Sequence, residues 1–201
     1  MRFHYRLGWI VTLGIARILW GYRSAGGERI PLKGPVIIAC NHVSNWDPVL
    51  VGLGCPREVH FMAKQELFDN PFLGWLIRAY NALPVKRGTA DHRALRRASG
   101  VLREGGALLM FPEGTRSTSG ELGSAKAGVG FLACSSGAPI VPAHITGSQS
   151  LKRAAARAAP LRVTFGTPLA PEATSTKEGY AAVTDRVMSA IRLLREEALR
   201  K

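Results

Sequence analysis

Val36-Ile37-Ile38-Ala39-Cys40-Asn41-His42-Val43-Ser44-Asn45-Trp46-Asp47-Pro48 is the stretch on which both the fold and the chemistry of this chain turn. Its first five residues are apolar and rich in β-branched types, as a strand buried on both faces requires, so a strand is expected over 36 to 40. Pro48 suits the first turn of a helix, which makes Asp47 the expected N-cap of a helix over 48 to 54. Between strand and helix lie an imidazole and a carboxylate five positions apart. In a continuous helix such residues sit about 140° apart and do not face each other, so contact needs an irregular turn, which Asn45 and Pro48 favour. Once formed, that turn lets Asp47 accept a hydrogen bond from one nitrogen of His42 and leaves the other to take a proton from a substrate hydroxyl. The structural alternative is that Asp47 only caps its helix while His42 closes a strand.

Working outward, short apolar runs predict further strands over 57 to 62, 82 to 86, 106 to 111, 140 to 145 and 161 to 165. Helical patterns fall over 91 to 104, 125 to 136 and 177 to the C-terminus. The alternation gives an α/β fold, a layered mixed sheet flanked by helices. With 201 residues, 46% of them hydrophobic, the chain suffices for one substantial core. The expected organisation is an N-terminal membrane-associating helical segment over 1 to 25 and a catalytic domain over 26 to 201. The strand at 106 to 111 runs into Pro112-Glu113-Gly114-Thr115-Arg116-Ser117. Glycine there admits an anion close to backbone amides, Thr115 adds a hydroxyl, and Arg116 offers a planar fork matched to phosphate. A polar loop with a solvated arginine is the alternative. Both segments follow strands, where open α/β sheets place ligands.

Together, in this order, the two segments resemble the glycerolipid acyltransferase family and its bacterial lysophosphatidic acid acyltransferases. His42 and Asp47 match the family's histidine and aspartate with four residues between them, and Phe111 through Ser117 match its FPEGTRS block. Asn81-Ala82-Leu83-Pro84-Val85-Lys86-Arg87 matches a third block at the aliphatic position and at Arg87, with Asn81 in place of glycine and Pro84 in place of an aromatic residue. Ile140-Val141-Pro142-Ala143 matches the aliphatic-proline strand. The resemblance implies transfer of a fatty acyl group from acyl-coenzyme A or an acylated carrier protein to the sn-2 hydroxyl of a lysophospholipid, giving phosphatidic acid. His42 is then the general base and Asp47 its orienting partner, as in a serine hydrolase with the substrate hydroxyl in place of the serine. Arg87 and Arg116 are implied phosphate ligands together with Gly114, Thr115, Lys64 and Lys126, and Glu113 is expected to orient an arginine or the loop. No metal, cofactor or acyl-enzyme is required. Another lysolipid or glycerol 3-phosphate as acceptor stays open, as does a non-catalytic basic module.

Cys40 and His42 leave a strand on the same face, so a thiol nucleophile also stays open. His4, His60, His92 and His144 lack metal-ligand spacing, and His60 and His144 read as strand residues. Three scattered cysteines argue against a disulfide framework and for a reducing compartment. The net charge of +13 calls for an anionic partner, but no nucleic-acid motif accompanies it, and an anionic membrane is preferred. Residues 7 to 16 are apolar, while Arg2, Arg6 and Arg17 fall within about 60° on a helical wheel. Such a helix lies in the interface, with Trp9 and Trp20 at the headgroups. Arg17 breaks the apolar core that a signal peptide needs. The expected location is peripheral, on the cytoplasmic face of the cell membrane. The tract Lys152 to Ala159 reads as a basic helix or loop.

Overall fold

In the computed structural model, which describes residues 1–86, 91–117, 119–156 and 158–200, the stretch Val36–Cys40 is the centre of the molecule. All five of its residues are buried, and this strand, β2, lies between two parallel neighbours. The strands in chain order are β1 Arg23–Ala25, β2, β3 Val59–Lys64, β4 Ala82–Val85, β5 Ala107–Met110, β6 Ile140–Thr146 and β7 Arg162–Phe165. Across the sheet they run β1-β7-β6-β2-β5-β3-β4, and the β6/β7 pair is the antiparallel one. The helices are α1 Phe3–Trp20, α2 Asp47–Leu53, α3 Pro71–Ala79, α4 His92–Arg103, α5 Gly128–Ser136, α6 Leu151–Ala155 and α7 Lys177–Leu199. The mixed sheet flanked by helices is the expected fold class.

The strand period of two divides the core in half. Val36, Ile38 and Cys40 pack with Leu13 and Ala16 of α1 and Leu50 and Val51 of α2. Ile37 and Ala39 point the other way, toward residues of α4, α5 and α7 such as Leu102, Leu132 and Val187. Because β2, β3, β4, β5 and β6 all run in one direction, their C-terminal ends share one edge of the sheet. That edge is where His42, Phe111 and Lys64 emerge.

All six predicted strands are present, each within two residues of its expected start. The edge strand β1 was not legible, because Arg-Ser-Ala is exposed throughout and carries no apolar pattern. Helix α3 was also missed, although Asn70 caps it by accepting the Leu73 amide at 2.9 Å and Pro71 opens it. The basic tract forms only the short α6 before leaving helix.

Helix α1 is apolar on two sides. Leu13 and Ala16 enter the core, Trp9 donates its indole N–H to the Gly52 carbonyl at 3.3 Å, and the Val59 amide donates to the Tyr5 hydroxyl. The opposite side leaves Phe3, Leu7, Ile10 and Val11 exposed. Arg2 does not belong to a free basic stripe as expected. It donates to Glu58 and Asn81 and so ties the start of α1 to the beginnings of β3 and β4. Asn81 itself stands at φ 65°, the left-handed region that favours glycine and then asparagine, which accounts for the departure from the family pattern.

Candidate active site

The site begins with a side chain that imitates backbone. Past the end of β2, Asn41 accepts the Ile145 amide at 2.8 Å and donates to the Ile145 carbonyl at 3.0 Å. The main chain is thereby free to leave the sheet while staying tied to β6. His42 is then fixed from the β5 side: its amide donates to Glu113 at 3.2 Å, and its carbonyl accepts the Ser117 amide at 2.8 Å. Phe111 stacks on the imidazole with ring centroids 4.0 Å apart and planes 17° from parallel.

His42 Nδ1 lies 2.9 Å from Asp47 Oδ2, so the irregular turn forms and brings the pair together. Asp47 is not the helix N-cap, however. Trp46 holds that position, and the aspartate side chain folds backward to accept the Val43 amide at 2.7 Å and the Ser44 amide at 2.8 Å. These donors precede the helix, so the carboxylate organises the turn that carries the histidine rather than the helix after it. Its second oxygen accepts the Ser148 hydroxyl at 2.6 Å, from just beyond β6. Asp47 is 0% exposed and His42 5%. A carboxylate with these donors fixes the neutral imidazole with its proton on Nδ1, and Nε2 keeps its lone pair.

The loop after β5 divides into buried and exposed parts. Pro112 and Glu113 are buried, whereas Gly114, Thr115 and Arg116 are exposed. Glu113 ties the loop together: its second oxygen accepts the Gly123 amide at 3.0 Å, and it forms no ion pair with an arginine among the described residues. Gly114 adopts φ 69°, and the stem of Lys126 lies against it, 3.1 Å from where a β-carbon would stand. Thr115 and Arg116 line a cavity of about 530 Å³ with Gln149, with Val43, the residue after His42, and with Ser117, whose amide donates to the His42 carbonyl. Lys126 lines an adjoining cavity with Thr115 and Arg116. Lys64 is not brought to either; it pairs with Glu66 at 3.2 Å at the end of β3. Arg87 lies outside the described residues. A second, apolar cavity of about 330 Å³ is lined by Trp46, Pro48 and Val49, which flank Asp47 in the chain, and by Trp9, Phe61 and Tyr80.

Cys40 is fully buried, and burial, then the nearby Asp47, pushes its thiol well above the ordinary range, so no thiolate forms there. All three cysteines are free. His60 and His144 lie in β3 and β6 as read, and burial lowers the pKa of both. Sequence reasoning missed Ser148 and Asn41. Asn41 adjoins His42, but nothing in the chain distinguishes a strand-extending side chain from a loop asparagine. Ser148 follows Gly147, whose φ of 83° turns the chain after β6, and that glycine was the available signal.

A histidine held by a buried carboxylate thus stands near a basic loop on the C-terminal edge of the mixed sheet, an arrangement suited to taking a proton from a hydroxyl next to a bound anion. The Acyltransferase family profile matches residues 22–146, and the chain belongs to that family. It is 31% identical over 179 residues to the 1-acyl-sn-glycerol-3-phosphate acyltransferase of Bacillus subtilis, covering 87% of this chain and 88% of that one. The enzyme of the same name from Streptococcus pneumoniae is 31% identical over 165 residues, covering 80% of this chain and 61% of the relative. The crystal structure of the 1-acyl-sn-glycerophosphate acyltransferase PlsC from Thermotoga maritima superposes with a TM-score of 0.70 at 25% identity, covering 98% of this chain and 84% of that one.

Proposed function

We propose that the protein transfers a fatty acyl group from an acyl thioester to the sn-2 hydroxyl of 1-acyl-glycerol 3-phosphate, giving phosphatidic acid for phospholipid synthesis. The observation that carries this reading is the 2.9 Å contact between His42 and the fully buried Asp47 beside the cavity of Arg116. Nε2 of His42 takes the hydroxyl proton as the oxygen attacks the thioester carbon; the carbon–sulfur bond then breaks, and the imidazolium returns the proton to the leaving thiolate. Asp47 holds the tautomer and stabilises the imidazolium. Arg116, with Thr115, the Gly114 amide and Lys126, holds the acceptor phosphate. Binding energy gathered at the phosphate positions the attacking oxygen. The apolar cavity beside Asp47 takes an acyl chain. The residues in place supply this chemistry without a metal, and the donor is acyl-coenzyme A or an acylated carrier protein. Turnover is measured with a panel of acceptors. Strong preference for lysophosphatidate is expected; equal use of glycerol 3-phosphate or phosphate-free lysolipids would overturn the assignment.

The exposed apolar side of α1, with Arg6 and Arg17 flanking it, is read as a membrane-interface surface on the cytoplasmic face. No helix among the described residues is long and apolar enough to cross a membrane. Because α1 also packs into the core, its outer side is tested by substitution and not by truncation. Leu7→Ser with Val11→Ser should weaken sedimentation with anionic vesicles at every salt concentration, since apolar contacts are not screened. Unchanged sedimentation would move the membrane surface elsewhere.

A further inference from the structure

At the β4 end of the same sheet edge, a cavity of about 610 Å³ opens between α3, the 3-10 turn Gln65–Phe68 and the start of α4. Arg78, Lys86, Arg93 and Arg97 line it against two carboxylates, Asp69 and Asp91. None of the four cations forms an ion pair among the described residues. Asp91 is occupied by the backbone, accepting the amides of Lys86, Arg93 and Ala94. Two of the cations are held in place: the Arg78 guanidinium lies 5.0 Å over the Phe68 ring, and Arg97 donates to the Pro84 carbonyl at 3.0 Å. Lys86 and Arg93 extend into solvent beside them. The arrangement suits a phosphate that meets a partly fixed basic surface.

The position decides whose phosphate it is. From β2 to β4 the sheet crosses three strand spacings, which places the cleft about 14 Å from the end of β2. In a glycerol 3-phosphate unit the sn-2 oxygen and the phosphorus are about 4–5 Å apart, so an acceptor with its hydroxyl at His42 cannot reach the cleft. An extended pantetheine arm separates its sulfur from its phosphate by about 15–16 Å. We infer that the cleft formed by Arg78, Lys86, Arg93 and Arg97 binds the phosphorylated end of the acyl donor while its thioester lies at His42. The inference rests on the acyltransferase reading above and adds to it a donor site separate from the acceptor's phosphate loop.

The test is the double variant Lys86→Gln with Arg93→Gln, both exposed and neither part of the core. KM for acyl-coenzyme A should rise roughly tenfold, as expected for two lost charge-assisted contacts near the surface. With an S-acyl-N-acetylcysteamine donor, which has no phosphate, turnover should be unaffected. A rise shared with a carrier-protein donor assigns the cleft to the pantetheine phosphate that both donors carry, and a rise confined to acyl-coenzyme A assigns it to the nucleotide donor. An equal loss with the truncated donor, or a raised KM for lysophosphatidate alone, overturns the inference. Calorimetric binding of free coenzyme A needs no turnover: if the variant weakens it while the unaltered protein acylates no acceptor, the cleft stands and the proposed reaction falls. Unchanged donor binding and KM in the variant would remove the cleft.

Discussion

Asp47 is fully buried and takes four hydrogen bonds, whereas Arg116, on the same edge of the sheet, is exposed and makes no ion pair among the described residues. The two regions follow successive strands of the sheet order, β2 and β5, yet they are built in opposite ways. Around Asp47 every donor is supplied by the protein, and the geometry is set before any substrate arrives. Around Arg116 the donors point into an open cavity and await a partner. A proton-transfer group needs fixed geometry and low dielectric; an anion seat needs unspent donors, because a pre-formed internal ion pair would compete with the ligand.

The largest effect is expected inside the buried corner. His42→Ala should lower acyl transfer by at least about 10²-fold, the lower end for loss of a positioned general base, with the fold retained. Turnover near normal in a folded variant would abolish the contrast between the two regions, since the buried pair would then be structural. Next comes the open loop. Arg116→Gln should weaken use of lysophosphatidate by about 10- to 100-fold, the range for a charge-assisted contact. Arg116→Lys should recover only part of that, because an ammonium lacks the guanidinium fork. Thermal stability should be nearly unchanged in both, as befits an exposed side chain, so a large drop in Tm would show the loop to be structural.

A smaller effect tests how far the buried corner extends. Ser148→Ala leaves one oxygen of a buried carboxylate without its donor, which should destabilise the protein by about 1–3 kcal/mol. Turnover should fall about five- to tenfold. Ser148→Thr, which keeps the hydroxyl, should restore both stability and turnover. A drop in stability with unchanged turnover would make Ser148 packing alone. The smallest effect on activity concerns His144, a buried histidine on β6. Burial, and then Arg195, lowers its pKa to about 4, so it folds uncharged. The unfolded chain takes up that proton near its ordinary pKa of about 6.5. The contribution of His144 to stability is therefore complete above that value and is lost as pH falls toward about 4. His144→Gln should flatten the stability curve across this window by about 3 kcal/mol, measured by denaturation at several pH values. An unchanged curve would mean that the histidine is hydrated in the fold.

What could be read from the chain alone was whatever local chemistry enforces. A run such as Val36–Cys40 has no stable place except a sheet covered on both faces, so the central strand and the α/β class followed from it. His42, Asp47 and the loop from Phe111 to Ser117 were legible because their spacing and residue types are confined to short segments. Tertiary structure alone decided the rest. It turned Asp47 away from its helix, because two amides of the preceding turn and a hydroxyl from Ser148, 101 positions away, offered the carboxylate better partners than the helix start did. It also set Asn41 against Ile145, placed Phe111 on the imidazole face, and left Lys64 with Glu66 instead of at the phosphate loop. Spacing along a chain fixes which groups can meet within a turn. Which groups meet across a sheet depends on strand order and direction, and the parallel alignment of β2, β5 and β6 is what collects these groups on one edge.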